Sequence, residues 1–386
     1  METPFLFEQI HPQPMFAVLQ DAARLEREGV EINHLEIGDF TGFRNEVFEE
    51  HLIGAASNPS SYRYSPSAGR FDTQCVVAEV NSDIYGPLAP ENVVIAPANY
   101  LLVASVLCFA KRGGRVWVPD PGFPTYRLAC EFASVEVATY EPGQDGCLCG
   151  SVEPGDLIIV NSPSNPLGVA ISEGLRTCLD RHIGPRDGVL QIWDDTYILV
   201  QEPGRVDERP ALLDAGRSTG RLIVRSLSKE GAVPGVRAGY MLGPTAEISR
   251  VSDFLSLSIS CAPSYVQVAM EGYLADERSR NFTETLCSEM SRRRSLLREF
   301  DGISATLAWV PESTLYAVVR VDDEDACFHD LLHEYRVCVC PGSAFAMTKH
   351  SPVKDNLIRI SLGGTSEDVE SGLREIDRYL LTMNGV

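Results

Sequence analysis

One lysine stands in a setting that suits covalent chemistry. The chain has only four lysines, and Lys229 lies in the segment Ser226-Leu-Ser-Lys-Glu-Gly-Ala-Val-Pro-Gly-Val-Arg237-Ala-Gly, directly after a β-branched apolar run. An amine in this place could form a Schiff base with a carbonyl compound. Ser226, Ser228 and Arg237 could hold a phosphate group beside it. Taken alone, the segment could also be an ordinary glycine-rich loop that happens to contain a lysine.

Apolar runs and helical stretches alternate on both sides of this lysine. The helical stretches include residues 100–110, 125–131 and 172–183. Continuous apolar strands that alternate with helices are typical of a mostly parallel sheet covered on both faces. We therefore predict a large α/β domain with a mostly parallel seven-stranded sheet between helices, its strands at 92–96, 115–119, 134–140, 156–161, 188–194, 221–226 and 237–242. Lys229 would then follow the carboxyl end of a strand, where such sheets bind ligands.

The two ends of the chain follow a different pattern. Residues 15–28 and 282–300 have helical character, and the last part alternates short apolar runs with helices. The runs are 315–321 and 337–340, and the helices are 326–335 and 366–383. This pattern predicts a smaller α+β domain. The predicted division assigns residues 49–290 to the large domain, and residues 1–48 together with 291–386 to the small one.

Composition argues against several functions. The 386 residues include 54 acidic and 33 basic ones, which gives a formal net charge of −21. Such a chain repels phosphate backbones and anionic membrane surfaces, so we expect neither a nucleic-acid nor a membrane partner. The longest apolar run, residues 100–110, is about half the ~20 residues that a membrane span needs. The N-terminus has no secretory pattern, so we expect a cytoplasmic enzyme-sized protein.

Neither the cysteines nor the histidines predict a metal site. Eleven scattered cysteines, an odd number, are expected to be reduced thiols. The two C-x-C pairs, at 147/149 and 338/340, lack the usual zinc spacing. His329 and His333 share one face of a predicted helix, but the leucines between them fit an amphipathic helix better than a metal site.

The segment around Lys229 resembles the lysine signature of class I/II aminotransferases, the fold-type I enzymes that depend on pyridoxal phosphate. That signature reads S-x-S-K-x-x-x-x-x-G-x-R-x-G. Seven further segments resemble the family's motifs in the family's order and cover nearly the whole chain: Leu35-Glu-Ile-Gly38, Tyr64-Ser-Pro-Ser-Ala-Gly69, Ile95-Ala-Pro-Ala98-Asn99, Asp120-Pro-Gly-Phe123-Pro-Thr-Tyr126, Asn161-Ser-Pro-Ser-Asn165-Pro-Leu-Gly168, Asp194-Asp-Thr-Tyr197 and Leu357-Ile-Arg359-Ile-Ser361. Each match is weak alone, and their combination is specific.

The resemblance implies an aspartate-aminotransferase-like fold and a set of residues around pyridoxal 5'-phosphate. Lys229 would form the Schiff base and move the proton during catalysis. The phosphate would be bound by Ala98, Asn99, Ser226, Ser228 and Arg237. The ring would be held by Phe123 through stacking, by Asp194 at the ring nitrogen, and by Asn165 and Tyr197 at the phenolic oxygen.

The resemblance also implies substrate contacts and a partner subunit. Arg359 would bind the α-carboxylate of the substrate through two parallel hydrogen bonds, with Gly38 and Asn165 beside it. Tyr64 would reach the cofactor phosphate of the neighbouring subunit in a homodimer. The implied reaction moves an amino group between an L-amino acid and a 2-oxo acid by a ping-pong mechanism.

Several positions depart from the family pattern, and two alternatives stay open. Pro97 stands where the family usually has glycine in the phosphate turn, and proline offers no N–H. The same fold also supports lyases, decarboxylases and cyclases that act on modified amino acids. The second alternative is a non-catalytic, regulatory relative of these enzymes. The sequence shows no convincing second arginine for a dicarboxylate substrate.

Overall fold

The computed structural model describes residues 14–143, 148, 151–181, 188–201, 212–214, 217–218, 220–351 and 356–383. Within them lie the helices α1 (Pro14–Arg27), α2 (Glu46–Ala56), α3 (Phe71–Tyr85), α4 (Ala98–Phe109), α5 (Pro124–Ala133), α6 (Glu173–Arg181), α7 (Leu227–Glu230), α8 (Thr245–Ser258), α9 (Ser264–Ala275), α10 (Glu277–Leu296), α11 (Asp301–Thr306), α12 (Glu324–His333) and α13 (Ser366–Met383). The strands are β1 (Asn33–His34), β2 (Val93–Ile95), β3 (Arg115–Pro119), β4 (Glu136–Tyr140), β5 (Leu157–Asn161), β6 (Leu190–Asp194), β7 (Leu213–Asp214), β8 (Arg217–Ser218), β9 (Arg221–Ser226), β10 (Gly239–Leu242), β11 (Tyr316–Arg320), β12 (Val337–Cys338), β13 (Cys340–Pro341) and β14 (Leu357–Ser361).

The predicted seven-stranded sheet is confirmed. Its strand order is β2-β10-β9-β6-β5-β3-β4. The strands β9, β6, β5, β3 and β4 pair in parallel, and only β10 runs antiparallel to its two neighbours. All seven predicted runs contain these strands. The fold class is therefore α/β, as the sequence predicts.

The inner strand β5 shows why these runs form strands. All five of its residues are buried. Successive side chains point to opposite faces of a sheet, so Leu157 and Ile159 join one apolar cluster while Ile158 and Val160 join the other. Each such burial stabilises the fold by about 1.5–3 kcal/mol. A strand that is apolar on both faces needs helices on both sides, and the alternating segments provide them.

The C-terminal part forms a second apolar core. The strands β11, β14 and β13 make a three-stranded antiparallel sheet, and β1 pairs in parallel with β12. One correction concerns residues 337–340, which we expected to be one strand: β12 and β13 belong to different sheets. The helix α10 runs through the predicted boundary at 290, so the division into 49–290 and the remainder stays a prediction.

The cysteines correct another expectation. Among the described residues eight are free thiols, but Cys178 is disulfide-bonded, so the expectation that all cysteines are reduced is wrong at this position. The pair Cys147 and Cys149 lies outside the described residues. Burial raises the pKa of the Cys130 and Cys327 thiols to about 12, which keeps them protonated and unreactive. In the described ranges, no helix is long and apolar enough to cross a membrane. The same ranges contain no group of three or more His, Cys, Asp or Glu side chains that could hold a metal ion.

His34 links α1 to the strand that leads into the active-site region. Its Nδ1 lies 2.8 Å from Glu36 Oε1 and its Nε2 lies 3.0 Å from Glu26 Oε1. These carboxylates, Glu36 foremost, raise the pKa of His34 to about 9. A group whose pKa is raised by folding stabilises the protein. This contribution is fully present below the unfolded pKa of about 6.5, and it is lost as pH rises through the folded pKa.

We therefore expect the melting temperature of His34→Gln to lie below that of the unsubstituted protein at pH 6. The difference should shrink steadily up to pH 9.5, because the imidazolium that the two carboxylates stabilise is then deprotonated. Thermal unfolding followed by circular dichroism across this range measures it. His329→Gln, on an exposed helix face, is the matched control. A difference that stays constant with pH would contradict the ion-pair role.

Candidate active site

Most of the predicted site residues line one cavity of about 420 Å³. It lies at the carboxyl ends of β6 and β9, where an open α/β sheet binds its ligands. Eleven predicted residues are in its wall: Gly38, Ala98, Asn99, Phe123, Asn165, Asp194, Tyr197, Ser226, Ser228, Lys229 and Arg237. A larger cleft of about 700 Å³ lies at the opposite edge of the sheet and contains none of them. The concentration of reactive groups, rather than volume, therefore identifies the candidate site.

Lys229 lies on a short helical turn directly after β9. The turn α7 is capped by Ser226, whose Oγ accepts a hydrogen bond of 3.2 Å from the N–H of Ser228. Below it, Arg225 and Glu230 form a buried ion pair that fixes the turn. The Lys229 amine donates to the carbonyl of Gly38, and no carboxylate of the described part of the chain pairs with it. The amine therefore faces the cavity without a salt bridge that would have to be broken.

The first turn of α4 forms one corner of the cavity. Pro97 is the N-cap, and its carbonyl accepts from the N–H groups of Tyr100 and Leu101 at 2.9 and 3.0 Å. The N–H groups of Ala98 and Asn99 have no acceptor within the helix, and the helix dipole is positive there. Proline at the N-cap removes neither of these donors, so the departure from the family pattern leaves an anion site intact.

Close approach of β10 completes this corner. A Cβ atom at Gly239 would lie 2.8 Å from the nitrogen of Ala98 and 2.9 Å from the carbonyl oxygen of Arg225. Only glycine therefore lets β10 pass between β9 and the start of α4. Thr125, which the sequence reasoning missed, donates a hydrogen bond of 2.6 Å to Asn99 Oδ1 and fixes that side chain.

Asp194 places a buried carboxylate in the wall of the cavity. It is 4% exposed, and burial raises its pKa above the ordinary value. Tyr126 donates to its Oδ2 at 2.6 Å, while the N–H and hydroxyl of Thr196 donate to Oδ1 at 3.2 and 2.5 Å. These bonds orient the carboxylate and favour its charged form. The sequence reasoning quoted Tyr126 as the last residue of a motif but gave it no role.

Arg359 lies behind the cavity wall rather than in it. The side chain is 1% exposed, and its Nη1 donates to Asn165 Oδ1 at 3.0 Å. Its Nη2 donates to the carbonyl of Glu36, two residues before Gly38. Asn165 is held in turn by Asn161, whose Oδ1 accepts from the Asn165 N–H at 2.7 Å. The guanidinium is therefore fixed beside the cavity by groups from two separate segments.

One predicted tyrosine lies outside the cavity, and one tyrosine that was not predicted lies in its wall. Tyr64 is 91% exposed and lies outside the cavity of its own chain. Tyr316, which the sequence reasoning missed, lines the cavity, with its Oη 3.0 Å from Tyr197 Oη. The one available signal was an aromatic residue near the start of the predicted strand 315–321.

The comparisons with known proteins agree with this arrangement. The sequence matches the family "Aminotransferase class I and II" over residues 31–376. It is 27% identical over 344 residues to the aspartate aminotransferase of Thermococcus kodakarensis, covering 87% of this chain and 85% of that protein. It is 24% identical over 333 residues to the aromatic-amino-acid aminotransferase 2 of Thermococcus litoralis, covering 82% and 84%. The structure of the Thermus thermophilus aspartate aminotransferase with maleate superposes with a TM-score of 0.84 at 25% identity, covering 96% and 97%.

The fold and the match together define a fold-type I transferase. The chain belongs to the class I and II aminotransferases. It is a pyridoxal-phosphate-dependent enzyme that moves amino groups between amino and oxo acids. The cavity fits this cofactor, because N–H groups at the start of a helix, a buried carboxylate and an amine that pairs with no carboxylate of the described residues surround a space of suitable size.

Proposed function

We propose that this cavity carries out transamination of an L-α-amino acid, with Lys229 as the catalytic residue. The observation that supports this most strongly is the placement of three different groups at separate corners of one cavity. The N-terminus of α4 would hold the phosphate with Ser226, Ser228 and Arg237. Asp194 would face the ring nitrogen, and the phenolic oxygen would lie between Asn165 and Tyr197.

The roles of the residues follow from their charges. Bound pyridoxal phosphate supplies an electron-withdrawing ring that stabilises negative charge on the substrate α-carbon. Asp194, oriented by Tyr126 and Thr196, offers the negative charge that keeps the ring nitrogen protonated. Phe123 provides a flat apolar surface for the ring. The Lys229 Nζ, held near the Gly38 carbonyl, would take the proton from the substrate α-carbon and pass it to the carbonyl-derived carbon of the cofactor.

Substrate selection starts at Arg359. A guanidinium that is already held by Asn165 and the Glu36 carbonyl can bind an α-carboxylate through two parallel hydrogen bonds. This favours α-amino and 2-oxo acids over amino sugars, which lack that carboxylate. Water would release the first amino acid as its oxo acid while the amino group stays on the bound cofactor, and a second oxo acid would take up that group in the reverse sequence.

A single-turnover experiment tests the reaction. The purified holoenzyme is mixed with a panel of L-amino acids in the absence of an oxo-acid acceptor, and its visible spectrum is followed. We expect the visible band to bleach while one equivalent of the matching oxo acid appears. Product formation with return of the original spectrum would favour the lyase, decarboxylase or cyclase alternative. A colourless protein would contradict cofactor binding.

We also propose a homodimer in which Tyr64 completes the site of the partner subunit. Tyr64 is 91% exposed, and Tyr62, Phe71 and Leu257 are 67%, 67% and 89% exposed. Hydrogen bonds from Ser264 Oγ to the Arg63 carbonyl, at 2.6 Å, and between Ser67 and Ser252, at 2.9 Å, join their segments into one surface. An apolar surface of this kind is typical of a subunit interface.

Mixed dimers test the composite site. Tyr64→Ala and Lys229→Ala should each be nearly inactive, because each lacks one essential group in both sites. When the two variants are unfolded and refolded together, about a quarter of all sites should be intact. The reason is that random pairing makes half of the dimers mixed, and each mixed dimer has one site that carries neither substitution. Activity and light-scattering mass are measured on the same sample. A mixture without recovered activity would contradict a shared site.

We infer a cytoplasmic location for the enzyme. Eight free cysteines in the described part of the chain, several of them buried, support a reducing compartment, whereas the disulfide of Cys178 does not. Fractionation of cells that express the protein, followed by immunoblotting, tests this location. Recovery in a secreted or periplasmic fraction would contradict it.

A further inference from the structure

We propose that Tyr316 positions two groups of the active site at once. Its hydroxyl donates a hydrogen bond to Tyr197, and its ring holds the guanidinium of Arg359. Neither contact was expected from the sequence. The inference rests on the proposed function, because it uses the roles given above to Tyr197 and Arg359.

The backbone around Tyr316 fixes its side chain. Tyr316 is the first residue of β11 and pairs with Ser361 on β14, the strand that carries Arg359. Just before it, Thr314 adopts a left-handed conformation with φ of 63°, and its Oγ1 accepts from the Tyr316 N–H at 3.2 Å. The Tyr316 side chain is only 2% exposed although it lines the cavity. The ring is therefore held in one place between β14 and the cavity.

The hydroxyl of Tyr316 has one direction of donation that fits the chemistry. The two hydroxyl oxygens of Tyr316 and Tyr197 lie 3.0 Å apart, with the rings in an edge-to-face arrangement. A phenol has a single proton. If Tyr197 directs its proton toward the cofactor's phenolic oxygen, its own oxygen must accept from Tyr316. The hydrogen bond from Tyr316 to Tyr197 then strengthens the one from Tyr197 to the cofactor, because hydrogen bonds in a chain polarise one another.

The ring of Tyr316 holds Arg359 without neutralising it. The guanidinium carbon lies 4.1 Å from the centre of the Tyr316 ring and 4.5 Å from that of Phe345. Aromatic faces attract a guanidinium and leave its edge available for planar hydrogen bonds. No carboxylate among the described residues forms an ion pair with Arg359, and its Nε has no hydrogen-bond partner. The charge is thus kept in place for a substrate carboxylate.

Gly38 is the backbone position that allows this arrangement. A Cβ atom at residue 38 would lie 1.9 Å from the Tyr316 Oη. The hydroxyl therefore rests against the glycine, whose carbonyl accepts from the Lys229 amine. One tyrosine hydroxyl thus contacts the segment that holds the catalytic lysine and the phenol that faces the cofactor.

Two substitutions separate the hydroxyl from the ring. Tyr316→Phe removes only the hydroxyl, so the pH midpoint of the holoenzyme's visible absorption should rise by about half a pH unit. The reason is that a weaker hydrogen bond from Tyr197 leaves more negative charge on the cofactor's phenolic oxygen. The nitrogen that joins Lys229 to the cofactor then keeps its proton up to a higher pH. The KM for amino acids should stay within about twofold, because the stack on Arg359 remains.

Tyr316→Leu removes the ring as well, so it should add a rise in KM of about tenfold to the same spectral shift. Tyr335→Phe is the matched control, since Tyr335 also packs under an arginine, Arg378 at 4.7 Å, and beside an aromatic ring, but away from the cavity. It should change neither quantity.

The outcomes distinguish this inference from the proposed function. A Tyr316→Phe enzyme that titrates like the unsubstituted holoenzyme would overturn the role of the hydroxyl. An unchanged KM in Tyr316→Leu would overturn the role of the ring. In both cases the unsubstituted enzyme still transaminates. Absence of a visible band or of oxo-acid formation in the unsubstituted protein would instead overturn the proposed function.

Discussion

Replacing Lys229 by alanine should reduce transamination by about 10⁴-fold or more, because the group that attaches the cofactor and moves the α-proton is lost. The substitution should leave the fold intact. Among the described residues, the amine contacts only the Gly38 carbonyl and the faces of two aromatic rings, and the Arg225–Glu230 pair continues to fix the turn. Steady-state rates measure the loss of activity, and borohydride reduction measures the covalent attachment of the cofactor. The variant should retain no covalently attached cofactor after reduction.

Lys111→Ala is the control for this experiment. Lys111 follows α4 at the opposite edge of the sheet, in the wall of the larger cleft, and it shares no contact with the cavity. Its replacement should leave both rate and covalent attachment unchanged. If Lys229→Ala retained a substantial fraction of the activity, the catalytic role of Lys229 would be wrong, and the non-catalytic reading would regain support.

Replacing Asp194 by asparagine should lower kcat/KM by about 10²–10³-fold, because a preorganised charge at the ring nitrogen is removed. Asparagine has nearly the same shape and still accepts a hydrogen bond from Tyr126. The effect should therefore appear in the rate and in cofactor affinity more than in stability. Single-turnover rates at saturating cofactor and an equilibrium titration with the cofactor measure the two effects separately.

Asp156→Asn is the matched control for the loss of a buried carboxylate. Asp156 is also 4% exposed, precedes β5 at the other edge of the same sheet, and accepts from Trp117 and Arg115 at 2.8 and 2.9 Å. We expect a lower melting temperature and a normal rate at temperatures where the variant is folded. Equal losses of rate in both variants would show that Asp194 acts only through stability.

Much of the large sheet could be predicted because its information is local. Each strand is a short run of three to six residues built around apolar side chains, and in β5 the four residues before Asn161 are apolar and buried on both faces. Site residues such as Asn165 and Tyr197 were identified from motifs that resemble those of the family. They line the cavity together.

The residues that were missed depend on contacts between distant segments. Tyr316 and Tyr197 are 119 residues apart, and Lys229 and Gly38 are 191 apart. Tyr316 is an unremarkable strand residue until β11 pairs with β14. The same reason explains the error at 337–340, because the apolar pattern of Val337 and Cys340 cannot say which partner strand each residue will meet.

The sequence by itself determined the elements of the large sheet and the family to which the chain belongs, and it predicted the lysine that we propose as catalytic. The tertiary structure decided which groups hold those residues in place: Tyr126 on Asp194, Thr125 on Asn99, and Tyr316 on Tyr197 and Arg359. The physical reason is that burial pattern and motif spacing are properties of neighbouring residues. Hydrogen bonds and stacking in the site instead depend on how separate strands are ordered in space.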